Sequence, residues 1–288
     1  MTVILTSPAK INLFLKLEGN DETVKRHRIR SLMVPVSLSD RIIVAPSENF
    51  SVVTRGISEE IPSEKNIVFK SFTLMEEFIG RRLPAMNVVI EKKIPTGAGL
   101  GGGSSNAATF LLFLNEEFSL GLNIAQISEV AAQVGSDVPF FLYKSAAVIS
   151  GFGETIQPVK IPRYDGYFTL VYPNFTMNTA LAYSLFDQLC KGYTILPEDF
   201  GFAWDDEHIF NDFESVVFDY LPRLKEIKGK LVDLGAERVF MSGSGSTLIA
   251  MTKKQEIQNH ICEDLKKECT VHKIDLFEGC FRTTSDCF

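Results

Sequence analysis

Between Pro95 and Ala107 the chain reads Pro-Thr-Gly-Ala-Gly-Leu-Gly-Gly-Gly-Ser-Ser-Asn-Ala, a composition that few packed structures can use. Gly97, Ala98, Gly99, Gly101, Gly102 and Gly103 carry nothing larger than a methyl group and flank a single Leu100. A strand-like run, Asn87 to Ile94, comes before, and an apolar helical run, Ala107 to Leu114, comes after Ser104 and Ser105. Glycine accepts positive φ and lets a ligand come close to the amide N–H groups. It also raises the entropy cost of folding, with no core burial in return. At the start of the following helix, unpaired N–H groups and the positive end of the macrodipole favour an anion. The stretch therefore predicts a phosphate cradle that directs the helix dipole at its ligand.

Three familiar patterns overlap this reading, and each is incomplete. Gly97, Gly99 and Gly102 fit the dinucleotide fingerprint, but Asn115 to Leu122 reads as a turn where a second strand ending in an acid is needed. Gly97 and Gly102 have the spacing of a Walker A loop, but Gly103 stands where its lysine belongs. Asp199-Phe200-Gly201 spells a protein-kinase tripeptide without the catalytic-loop or strand-lysine signatures, and reads as an ordinary turn.

The rest of the composition narrows the function class. With 288 residues the chain can hold one large domain or two modest ones, and a net charge of -7 argues against a broad nucleic-acid surface. Met1 to Ala9 lacks a basic start followed by an apolar core, and no apolar run is long enough to cross a bilayer, so a cytoplasmic address is expected. The five cysteines (Cys190, Cys262, Cys269, Cys280 and Cys287) show no C-x-x-C and read as free thiols.

Along the chain, Ile11, Leu13, Leu15 and Leu17 alternate with Lys10, Asn12, Phe14 and Lys16, which predicts a strand with one apolar face and with Lys10 and Asn12 projecting together. Lys25 to Arg30 is either a solvated basic turn or a set of cations facing a polyphosphate, with Arg26 stacked on a base. Asn66 is placed to cap a helix bearing Val68, Phe72, Met75 and Ile79, and Asn123 to cap one that Gly135 ends. Asp137, in the apolar string Val138-Pro139-Phe140-Phe141, is either a cap or an ion held beside a partner, because an unpaired buried carboxylate is costly. Pro158 and Pro162 interrupt the pattern near Lys160 to Asp165, and a second half begins with a strand from Tyr167. A helix from about Asn178 should turn Leu181, Leu185 and Leu189 inward, with Thr179 and Tyr183 sharing another face. Trp204 to His208 reads as an exposed acidic loop rather than a metal site. A helix from Asn211 is broken at Pro222 and continues to Gly235. Strand, glycine turn and strand follow over Arg238 to Met251, then a helix at Gln255 to Glu268 and a strand at Val271 to Leu276, with Glu278 to Phe288 fraying.

Taken together, several of these strings resemble one family. Ile94 through Ala108 is similar to the nucleotide-binding signature of the GHMP kinases, which hold ATP phosphates without a Walker lysine. Ser7-Pro8-Ala9-Lys10-Ile11-Asn12-Leu13 resembles the family's N-terminal signature, and Gly135-Ser136-Asp137-Val138-Pro139-Phe140-Phe141 its Gly-Ala-Asp-Val-Pro-Phe-Phe motif. Asn211-Asp212-Phe213-Glu214 resembles Asn-Asp-Leu-Glu, and Ser242 to Thr247 the third motif. His27 aligns with a histidine that follows Gly-Tyr in the family, but this chain has Lys25-Arg26 in place of that pair. The resemblance implies an α+β, two-lobed fold: an N-terminal lobe like ribosomal protein S5 domain 2 over residues 1–162, and a C-terminal ferredoxin-like α/β plait over 163–288.

It also implies an ATP-dependent phosphotransferase with an alcohol acceptor and Mg²⁺ as cofactor. The closest likeness is to the branch that phosphorylates the 2-hydroxyl of 4-diphosphocytidyl-2-C-methyl-D-erythritol in non-mevalonate isoprenoid synthesis. ATP would contact Asn66, Pro95, Thr96, Gly97, Ala98, Gly99, Leu100, Gly101, Gly102, Gly103, Ser104 and Ser105, and either serine is a candidate for the metal or a phosphate oxygen. Lys10 and Asp137 would be catalytic, and Asn12, His27, Asn106, Thr179 and Tyr183 would hold the acceptor. A small-molecule substrate is expected, with no nucleic-acid or membrane partner and a monomer or homodimer as the working form. A GHMP kinase for another alcohol, such as homoserine or a sugar, and a catalytically silent nucleotide-binding protein are the alternatives.

Overall fold

The computed structural model describes residues 1–21, 23, 26–56, 61–189, 193, 195–197, 201–205 and 207–277. Two long antiparallel strands, β1 (Val3–Asp21) and β2 (Arg26–Pro46), form its spine. β3 (Ser51–Arg55) leads into α1 (Ile67–Ile79), and β4 (Met86–Glu91) delivers the glycine loop to α2 (Gly102–Glu117). After α3 (Ile124–Val134) and the short α4 (Val138–Leu142) come β5 (Ala147–Ser150) and β6 (Thr155–Pro158). The second half runs β7 (Tyr167–Tyr172), α5 (Thr179–Leu189), β8 (Phe210–Asn211), α6 (Glu214–Tyr220), α7 (Pro222–Asp233), β9 (Arg238–Met241), β10 (Leu248–Thr252), α8 (Gln255–Leu265) and β11 (Thr270–Ile274).

These strands make two sheets, in the α+β architecture expected. The larger has the order β3-β4-β2-β1-β8, with β5 and β6 branching from β2, and the smaller has the order β11-β7-β10-β9. Apart from β8, the second half is the plait expected of it, a β-α-β-β-α-β path whose first crossover holds three helices, α5, α6 and α7. β8 instead pairs in parallel with β1, so hydrogen bonds join the two halves directly.

β1 corrects the expectation of one apolar face. Ser7 to Leu15 are all buried, because α2 packs across the strand while the smaller sheet covers Ala9, Ile11 and Leu13. A register shift against β2 between Asn12 and Phe14 leaves Leu13 without a partner, a bulge. Phe14 then joins Ile11 and Leu13 in one core cluster, while Leu15 and Leu17 join another.

Local signals hold well elsewhere. Asn66 Oδ1 accepts from Val68 N at 2.9 Å, and Asn123 makes a reciprocal capping box with Gln126. Pro222 opens α7 one residue after α6 ends, as its missing N–H requires. Four further expectations are corrected. α2 runs to Glu117, so the turn is shorter than Asn115 to Leu122 and is closed by Asn115 bonding Leu122. On α5, Ala182 and Phe186 point inward and Leu189 is exposed. Arg26 to Arg30 lie in β2, not in a turn. Trp204, expected on an exposed loop, packs among Tyr164, Phe168 and Phe202. Among the described residues no group of three or more His, Cys, Asp or Glu could hold a metal, and no helix is long and apolar enough to cross a membrane. Cys262 and Cys269 are free thiols. Lys25, Asp199, Phe200, Asp206, Cys190, Cys280, Cys287 and Glu278 to Phe288 lie outside the described residues.

Candidate active site

The glycine loop leaves β4, crosses the space between the two sheets and enters α2. Ala98 and Leu100 bury their side chains in the core, so the loop offers main chain to the cavity beside it. Gly97, Gly99 and Gly101 have φ of 66°, 77° and 67°, a region that an L side chain enters only at a cost. At Gly99 a Cβ would also run into the Ser242 carbonyl oxygen, so the turn of the smaller sheet lies directly on the loop. Lys10 N donates to Leu100 O at 2.9 Å, which fastens the loop to β1.

Both ends of the loop are tied to one carboxylate. Asp40, fully buried on β2, accepts from Lys93 N and Ile94 N before the loop and from Asn106 Nδ2 after it, and it pairs with Lys92 Nζ. Asn106 Nδ2 also reaches Ser7 Oγ at 2.9 Å. Its amide donors are thus spent inside the protein, and the side chain serves as a fixture of the loop. Ser105 is likewise inward: it is fully buried, and its hydroxyl accepts from Ser7 Oγ at 2.8 Å. Of the two serines, only Ser104 lines the cavity.

That cavity has a volume of about 520 Å³ and takes its walls from Pro95 to Ser104, Asn66, Lys10 and Asp137, with Ser244 across from them. Lys10 is 3% exposed, and its ammonium donates to Asn12 Oδ1 at 2.6 Å. Asn12 in turn gives Nδ2 to Ser31 Oγ at 2.8 Å, so its amide orients Lys10 rather than standing free. Burial lowers the Lys10 pKa below the usual 10.5, and the Asp137 carboxylate opposes that shift. The two expected catalytic groups are therefore electrostatic neighbours. Asp137 occupies the residue before α4 but makes no side-chain capping bond, so the capping alternative does not describe it.

A second cavity, of about 640 Å³, shares Ile29, Met33, Asp137, Thr179 and Tyr183 with the first. His27 and Tyr183 stack in its wall with ring centroids 4.5 Å apart. Burial pushes the Tyr183 phenol up to about 12, the nearby Asp137 charge adds to this and Arg26 opposes it. Thr179 Oγ1 lies 2.9 Å from Ser244 Oγ, on the rim between the cavities. Arg26 gives Nη2 to Phe152 O at 2.8 Å and lies over the Phe152 ring at 5.3 Å, so in this structure it stacks on a protein aromatic.

The sequence reading missed several parts of this site. Phe152 and Asp187, which bonds His27, belong to the wall of the second cavity or stand just behind it. Asp40 and Lys92 anchor the loop, and Asn211 Nδ2 holds Met241 O and Gly243 O of the facing turn. Only Asn211 carried a signal, its place in the Asn-Asp-Phe-Glu string.

Comparison with known proteins gives concordant results. The family model described as GHMP kinases N terminal domain matches residues 66–145, and that described as GHMP kinases C terminal matches residues 201–271. A relative from Thermodesulfovibrio yellowstonii named 4-diphosphocytidyl-2-C-methyl-D-erythritol kinase is 34% identical over 255 residues, covering 84% of this chain and 87% of that protein. One of the same name from Syntrophotalea carbinolica is 35% identical over 263 residues, covering 90% and 92%. A crystal structure of 4-(cytidine 5'-diphospho)-2C-methyl-D-erythritol kinase superposes with a TM-score of 0.76 at 29% identity, over 95% of this chain and 98% of that one. A homoserine kinase from Cytophaga hutchinsonii shares the fold, with a TM-score of 0.69 at 17% identity.

Proposed function

Because the chain belongs to the GHMP kinases, we propose that it transfers the terminal phosphoryl group of ATP to the 2-hydroxyl of 4-diphosphocytidyl-2-C-methyl-D-erythritol, a step of non-mevalonate isoprenoid synthesis. The observation that carries this reading is the position of Asp137 on the wall common to both cavities, with the buried Lys10 beside it. ATP takes the cavity under the glycine loop, and the acceptor takes the one walled by His27 and Tyr183.

Phosphoryl transfer asks the protein for position and charge neutralisation more than for covalent chemistry. The α2 N-terminus supplies unpaired N–H donors to the phosphates. Asn66, which caps α1 and lines the same cavity, sits on the nucleotide side. The Lys10 ammonium, held by Asn12, stabilises the growing negative charge and polarises the acceptor hydroxyl. Asp137, with no capping bond to satisfy, orients that hydroxyl and takes its proton. Thr179 and Tyr183 bound the acceptor where the two cavities meet. The cavity fits Mg²⁺ carried by the phosphates: the Ser104 hydroxyl, which lines it beside the glycine loop, would offer an oxygen to the ion, and the ion would neutralise phosphate charge.

A substrate panel with ADP release as the readout tests the assignment. Turnover is expected with the cytidine diphosphate substrate and not with homoserine or simple sugars, and CDP should compete with that substrate. Tyr183→Ala should weaken the acceptor at least as much as ATP. Turnover of homoserine or a sugar in preference, or indifference to CDP, would overturn the acceptor, and no transfer across the panel would overturn the kinase reading.

A further inference from the structure

Resting on the acceptor assigned above, we propose that Asp187 is a specificity-determining residue: it locks His27 into the tautomer that accepts a hydrogen bond in the acceptor cavity, and so selects a base bearing an exocyclic amine, cytosine, over one bearing a carbonyl at that position, uracil. Asp187 stands on α5 and His27 on β2, and the carboxylate Oδ1 meets His27 Nε2 at 2.7 Å. Tyr193 donates its hydroxyl to the same oxygen at 2.9 Å, which fixes the carboxylate in place. An ionised carboxylate only accepts, so Nε2 carries the proton of the pair. A neutral imidazole protonated at Nε2 presents a bare lone pair at Nδ1. Among the described residues nothing is bonded to Nδ1, although the His27 side chain is only 11% exposed and lines the acceptor cavity.

The rest of the wall suits a flat pyrimidine. Tyr183 stacks against His27, and Phe152, held by Arg26, stands in the same cavity. Cytosine carries a donor on its exocyclic nitrogen, where uracil carries acceptor lone pairs. Nδ1 as an acceptor matches the first and opposes the second. Asp187 does not touch the acceptor in this account; it acts through His27.

The test titrates CDP and UDP separately, with the ATP site filled by ADP, into the wild type, Asp187→Ala and Asp187→Asn. Nitrogen-15 NMR of the His27 ring is recorded on the same samples. The wild type should bind CDP about tenfold or more tighter than UDP, the size of one well-placed hydrogen bond. Its His27 should be protonated at Nε2 and bare at Nδ1. In Asp187→Ala the ratio should collapse to within about twofold and both tautomers should appear. Asp187→Asn keeps an oxygen that can accept from Nε2 and should retain more of the preference than alanine does. An Asp187→Ala protein that keeps the wild-type ratio, or loses both nucleotides equally, overturns the inference, as does a wild-type His27 protonated at Nδ1. A wild type that binds neither nucleotide overturns the acceptor reading and this inference with it.

Discussion

Replacing Gly103 with alanine separates what the fold needs from what the ligand needs. Gly103 is the second residue of α2, exposed, with no positive φ, and a Cβ there would meet only Ile67 Cγ2 at 3.8 Å, an ordinary contact. Nothing in the protein itself calls for glycine at this position. Alanine restricts the unfolded chain and fits the helical conformation, so Gly103→Ala should stabilise the fold by about 0.4–1 kcal/mol. With about 2.1 cal/mol/K of unfolding entropy per residue, a chain of 288 residues shifts by about one degree for each 0.6 kcal/mol, so Tm should rise by about 1–2 °C. Binding should go the other way. The methyl group enters the space from which a phosphate oxygen reaches the N–H groups of the first helical turn, and losing one charge-assisted bond costs about 1.5–3 kcal/mol. That corresponds to a loss of ATP affinity of about 10- to 150-fold. Thermal unfolding and isothermal titration with ATP measure both effects on one sample. Higher Tm with unchanged ATP affinity would refute the claim that this helix start receives the phosphates.

Three further outcomes follow from the same geometry. Gly99→Ala combines a φ of 77° with a collision against the Ser242 carbonyl and should destabilise by about 2–5 kcal/mol, or about 3–8 °C in Tm; a wild-type melting curve would mean that the loop and turn do not touch as described. Asp40→Asn turns an amide toward the Lys92 ammonium and should cost about 3–5 kcal/mol, about 5–8 °C, with unchanged Tm the contrary result. On pH, burial lowers the Lys10 pKa, so the folded protein releases this proton before the unfolded chain does. The penalty that Lys10 imposes on folding is full below the folded value and is relieved as pH climbs toward 10.5. Activity needs the ammonium, so the alkaline limb of kcat/KM should fall below pH 10.5, where Tyr183, pushed up to about 12, does not titrate. A rate that holds flat to pH 10.5 would contradict this.

What could be read from the sequence was what local chemistry dictates. The glycine loop, the Asn66 and Asn123 caps and the break at Pro222 each depend on residues a few positions apart, and each formed as expected. The bulge at Leu13 was not legible, because it arises from pairing with β2 and not from the alternation within β1. Ser105 and Asn106 are adjacent in the motif, yet Ser105 turns away from the cavity that Asn106 lines, because which way a helix turns its polar side chains depends on Ser7 and Asp40, from other strands. The pairs Asp40 with Lys92, Arg26 with Phe152 and His27 with Asp187 join residues 52, 126 and 160 positions apart, and no spacing rule reaches across such distances.

The central claim is that one carboxylate stands between a nucleotide cavity and an acceptor cavity. Phosphoryl transfer by Asp137→Asn, measured in single turnover alongside ATP titration of the same protein, tests it most directly. The account predicts ATP binding within about twofold of wild type and transfer slower by about 10²- to 10⁴-fold, the range of a lost general base. Transfer at the wild-type rate would contradict it.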